Sequence, residues 1–131
     1  QEVLSAANGL YQSYLQEDME SGSYPPYKAS GMAYIRFARE EKELFKSIFL
    51  MGDDFKDLFE IIVKNVIEKS KHDERFEGLS EEKIEKIILQ IWYYVHGYST
   101  LICTGFLRNQ TNEKIEKKIL ELTAIVIANH K

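Results

Sequence analysis

Residues 87–107 read IILQIWYYVHGYSTLICTGFL, a run with no charged side chain. Apolar positions recur at three- and four-residue intervals, the period of an α-helix. Ser80 precedes the run as an N-cap, and Glu81 and Glu82 follow where the positive end of a helix favours acids. The spacing predicts a helix from Ser80 to about Phe106 with three faces. Ile84, Ile88, Ile91, Val95 and Ile102 form an aliphatic seam. Leu89, Trp92, His96, Ser99 and Cys103 form a second face. Tyr94, Gly97, Leu101 and Thr104 form a third, with small residues at two of its positions. The run also has the length of a membrane span. Gln90, His96, Ser99, Thr100 and Thr104 lie inside it, and lipid penalises that many polar groups. The expectation is a helix buried on nearly all sides by protein, with no membrane partner.

The rest of the chain keeps the same period. A first helix is expected over residues 3–19, with Val3, Ala7, Leu10 and Tyr14 inward and Leu4, Tyr11 and Leu15 beside them. Ser21, Gly22, Ser23 and the Pro25-Pro26 pair end it. A second helix over residues 28–40 presents Gly31, Tyr34, Ile35 and Ala38, flanked by Phe37. A third, over residues 41–51, presents Leu44, Phe45, Ile48 and Phe49. Gly52 reads as its stop, and Asp53 or Asp54 as the cap of a fourth helix carrying Phe55, Leu58, Phe59, Ile62, Val66 and Ile67. Residues 70–79 are polar and read as an exposed loop. Thr111 or Asn112 starts a sixth helix, whose second half, residues 119–128, is apolar except at Glu121 and Thr123. No β-alternation or internal repeat occurs, so the fold class is all-α.

Six helices in 131 residues make one domain. The net charge of -4, with no Lys/Arg cluster along the sequence, argues against a nucleic-acid surface on this chain. The single cysteine, Cys103, offers no disulfide framework and suits a buried thiol in a cytoplasmic protein. The chain opens at Gln1 without a signal-peptide pattern, in what reads as the interior of a helix, as expected of a fragment or a processed product. No phosphate loop, nucleophile elbow or zinc motif is present. The acids at Glu40-Glu41, Asp53-Asp54 and residues 81–85 read as caps and solvated faces. His72 and His130 lie far from His96, so neither an enzyme, a metal site nor a cofactor is expected. The last two helices carry more apolar surface than their own domain can cover. A two-fold partner supplying the cover would complete a four-helix bundle across a homodimer.

Two segments resemble the C-terminal domain of TetR/AcrR-type transcriptional regulators, in the subgroup marked by a Trp-His-Gly signature. One is residues 31–49, GMAYIRFAREEKELFKSIF, and the other residues 92–101, WYYVHGYSTL. Lys42 stands where that family has a proline. The resemblance implies a six-helix TetR-like C-terminal domain whose last two long helices form the dimer bundle. It implies a small effector in each subunit, and DNA bound only through an N-terminal helix-turn-helix head absent from this chain. The effector would be hydrophobic or aromatic, and binding it would change the relative orientation of the subunits.

The candidate effector-lining residues are Tyr11, Tyr14, Tyr34, Phe37, Phe45, Phe59, Trp92 and His96, an aromatic wall with a few polar groups. The same side chains at helical spacing also read as core. His96 can hydrogen-bond an effector or hold Trp92 or a tyrosine in place. The candidate dimer residues are Tyr94, Gly97, Leu101 and Thr104 with Ile119, Leu122 and Val126. Gly97 has two readings, close approach of another helix of its own chain or of the partner. The competing function is a stand-alone helical interaction domain with no small-molecule site. A sizeable internal pocket would favour the sensor, and a filled core beside an exposed groove the interaction domain.

Overall fold

The computed structural model describes residues 2–22, 24–50 and 55–130, without the side chains of residues 2–4, 26, 27, 50 and 55. The expectations for Val3, Leu4, Gly52, Asp53, Asp54 and the Phe55 side chain lie outside the described residues. Six α-helices follow in order: α1 Glu2–Glu20, α2 Pro26–Glu40, α3 Lys42–Phe45, α4 Phe55–Ser70, α5 Glu81–Cys103 and α6 Asn112–His130. A π-helical turn, Lys46–Leu50, continues α3, and a 3-10 turn, Glu74–Phe76, lies between α4 and α5. No strand occurs among the described residues.

Local chemistry sets the boundaries. Gly22 takes a φ of 69° after α1, a conformation open to glycine at little cost. Pro25 is extended and Pro26 opens α2, where a missing N–H costs nothing. Glu41, at φ -120° and ψ 53°, breaks α2 from α3 without a proline. The Ser80 hydroxyl accepts the Lys83 N–H at 3.2 Å, and that of Thr111 accepts the Lys114 N–H at 3.3 Å. The caps of α5 and α6 are therefore those expected. The end of α5 is not: the helix stops at Cys103, short of Phe106. Gly105 turns to a φ of 85°, and the Leu107 N–H reaches back to the Leu101 carbonyl at 3.0 Å. Residues 70–79 are not wholly exposed, because the 3-10 turn drives Phe76 into the core.

The helix enclosed on all sides is α2, not α5. Ala29, Ser30, Gly31, Met32, Ala33, Tyr34, Ile35, Phe37 and Ala38 are all buried, and α1, α3, α4, α5 and α6 all pack on α2. Small side chains explain the difference, since they let several helices approach one axis. A Cβ on Gly31 would stand 3.3 Å from the terminal methyl of Ile119 of α6. Lys28, nearly buried, fixes the same pair with an ion pair to Glu116 at 2.8 Å. On α1 the inward residues are Ala7, Tyr11, Leu15 and Asp18, with Leu10 and Tyr14 only half-buried. The inner face is thus rotated slightly from the one expected. On α5 the aliphatic seam is buried as expected, but Leu89, Tyr93, Tyr94 and Leu101 are exposed. No helix among the described residues is long and apolar enough to cross a membrane.

Candidate functional site

The expected aromatic residues converge. Tyr34, carried inward by α2, is surrounded by rings from five other elements. Its centroid lies 5.0 Å from Trp92 of α5, 5.1 Å from Phe49 of the π-helical turn and 5.6 Å from Phe45 of α3. Phe59 of α4 and Tyr11 of α1 follow at 6.3 Å each. Most of these rings meet edge-on, the arrangement their quadrupoles favour. Phe37 stacks on Tyr14 and meets Phe45 edge-on, so all eight expected residues belong to one cluster. Phe49 belongs to it as well, although only its inward direction was legible.

A polar contact crosses this cluster. The Tyr34 hydroxyl and His96 Nδ1 are 2.8 Å apart. Nδ1 accepts from the phenol when it carries no proton. Burial raises the Tyr34 phenol well above its ordinary range. Burial also lowers His96 below its usual 6.5. The pair is therefore neutral near pH 7. Tyr11 is raised for the same reason, and a hydrogen bond with Ser30 opposes the rise. Tyr14 is half-buried, and desolvation with the charges of Glu40 and Glu41 pushes its phenol up to about 12, while its hydroxyl donates to Glu41 at 3.3 Å. Tyr11, Tyr34, Phe37, Phe45 and Trp92 are almost fully buried. Their rings pack against one another inside the fold.

The expected dimer residues divide into two groups. Tyr94, Gly97 and Leu101 line an apolar surface groove of about 570 Å³, together with Tyr98, Leu107 and Lys118. Thr104 is exposed at the end of α5, its hydroxyl donating to the Thr100 carbonyl at 2.8 Å. Nothing lies within 4 Å of where a Gly97 Cβ would stand, so no helix of the same chain approaches there. Ile119 and Val126 correct the expectation, because both are buried in the chain's own core. Leu122 is half-buried and packs against that core. The 3.6-residue period turns Ile119, Thr123, Val126 and Ile127 inward and leaves Ile125 60% exposed on the outer face. The residues missed on this face are Tyr98, Leu107, Lys118 and Ile125. For Ile125 the apolar run of α6 was the available signal.

Cys103 is buried, and desolvation raises its thiol, as for an unreactive core cysteine. Among the described residues no three His, Cys, Asp or Glu side chains converge as metal ligands. Compared with known proteins, the chain matches no family model, no curated protein and no solved structure.

Proposed function

We propose that this chain is the dimerising, effector-responsive domain of a TetR-like transcriptional repressor. The observation that carries the reading is the open apolar groove on α5, with Tyr94 and Leu101 about two-fifths exposed beside Gly97 and the outer face of α6. A monomer leaves that surface in water. A second copy, related by a two-fold axis, would cover it with the same two helices and complete a four-helix bundle. The two TetR-like segments also meet in space, since Tyr34 from one bonds His96 from the other. An effector that parts this contact would act on α2 and α5 together, and α5 carries the groove. DNA binding would belong to a helix-turn-helix head joined through α1.

Sedimentation equilibrium tests the carrying observation. The wild type is expected at twice the chain mass at tens of micromolar, and Leu101→Glu at the chain mass with its helical circular dichroism unchanged. A monomeric wild type overturns the dimer.

The filled aromatic cluster favours a second reading, a helical interaction domain that binds another protein and no small molecule. Heat-stability titrations with planar hydrophobic compounds separate the two readings. Stabilisation lost in His96→Gln supports the sensor, and no stabilisation by any of them supports the interaction domain.

A further inference from the structure

The turn between α5 and α6 borders a second surface cavity, of about 640 Å³. Arg39 from the end of α2, Lys42 from the start of α3 and Arg108 from the turn itself stand in its wall. Half-buried Leu107 supplies apolar surface, with the buried Ile102 beside it in the wall, and Thr111, at the head of α6, also lines the cavity. Among the described residues no aspartate or glutamate lines it, although the chain holds 21 acids against 17 lysines and arginines. Cations gathered round one cavity repel one another, and of these three only Arg39 has an ion-pair partner among the described residues, Glu40. The cluster is invisible along the sequence because positions 39, 42 and 108 meet only in the fold.

The cavity is built rather than draped. Arg39 donates to the Gln110 carbonyl at 3.0 Å, the Tyr98 hydroxyl donates to the Gln110 side chain, and Lys114 donates to the Asn109 carbonyl at 3.3 Å. Asn109 takes a φ of 58°, a left-handed conformation that asparagine tolerates better than most residues. Arg39 therefore has a structural task, bonding the turn and pairing with Glu40 at 3.2 Å. Lys42 and Arg108 do not: among the described residues neither has an ion-pair partner, and Arg108 spends only its Nε on the Gly105 carbonyl at 3.2 Å. The volume is within the range of small-molecule sites, about 300–1,000 Å³.

We infer that this cavity binds a small organic carboxylate with an apolar body, its carboxylate held by Lys42 and Arg108 and its body lying on Leu107. Guanidinium and ammonium donors suit a carboxylate, and the aliphatic surface selects against a bare, strongly hydrated anion. The inference stands independently of the aromatic cluster, and Leu107 is shared with the groove beside Tyr94 and Leu101.

The test is an amide NMR titration at constant ionic strength with three probes: sodium octanoate, 1-octanol and sodium phosphate. Octanoate is expected to give saturable shifts at the amides of Gly105, Asn109 and Thr111, with weaker binding of the other two. Lys42→Gln with Arg108→Gln, both at exposed positions, should weaken octanoate about tenfold or more while keeping the amide dispersion of the folded chain. Lys42→Gln alone gives an intermediate effect. Octanol binding as tightly as octanoate overturns the charge recognition. Phosphate binding as tightly overturns the apolar body. Shifts confined to the groove around Tyr94 and Leu101, or an unchanged affinity in the double variant, overturn the site.

Discussion

Tyr34 is fully buried, and its hydroxyl at 2.8 Å from His96 Nδ1 is the polar tie within a ring cluster. Tyr34→Phe keeps the edge-on contacts and removes that tie. The expected loss is about 1 kcal/mol of unfolding free energy, read from urea denaturation at pH 7. A second prediction follows from the imidazole. Its folded value lies below 6.5, so as pH falls through 6.5 the unfolded chain takes up a proton before the folded chain does. The unfolded state is then favoured, and the His96 contribution to stability falls on acidification. Asp18 acts in the opposite sense nearer its own range, because burial raises its carboxyl above 3.8 despite Arg36. The measurable quantity is therefore a difference. Between about pH 7.5 and 5.5 the wild type should lose stability more steeply than His96→Gln, and parallel curves would rule the effect out. The shared face of Trp92 and His96 was legible from their four-residue spacing. The partnership of His96 with Tyr34 was not, because nothing local relates positions separated by 62 residues.

At the scale of elements, two glycines in helix interiors behave oppositely. Gly31 of α2 faces Ile119 of α6 so closely that an added Cβ would already crowd its terminal methyl. Gly31→Leu should then separate the two helices and cost about 1–3 kcal/mol, the usual penalty of overpacking. Gly97 of α5 faces open space. Gly97→Ala should stabilise the isolated folded chain by about 0.5–1 kcal/mol, because alanine holds a helix better. Thermal unfolding at low protein concentration checks both, and equal signs would overturn the contrast. Helix starts were legible wherever a hydroxyl caps them, as at Ser80 and Thr111. The end of α5 was not, because Gly105 and Phe106 prolong the apolar pattern while the backbone has already turned. The π-helical turn after Phe45 was also hidden. It leaves Ile48 and Phe49 inward, as continuous α-helix would, so its hydrophobic pattern alone does not reveal it.

At the scale of the whole molecule, apolar composition overstated how far α5 is enclosed and understated α2. The small residues of α2 admit neighbours all round, whereas the bulk of Tyr93, Tyr94 and Leu101 projects outward. That outward surface gives association a direct route into stability. If a second copy covers the groove, folded chains are withdrawn into dimers and unfolding becomes concentration-dependent. Each tenfold rise in protein concentration should then raise Tm by about 3 °C. Leu101→Glu places a carboxylate in the groove, where covering it would strip its hydration. Its Tm should be flat across the same concentrations and should meet the wild-type value at the dilute end. A wild-type Tm that does not move with concentration, over a range where sedimentation gives the dimer mass, would mean that association leaves the unfolding equilibrium untouched. The groove would then not be the surface through which the second copy stabilises the fold.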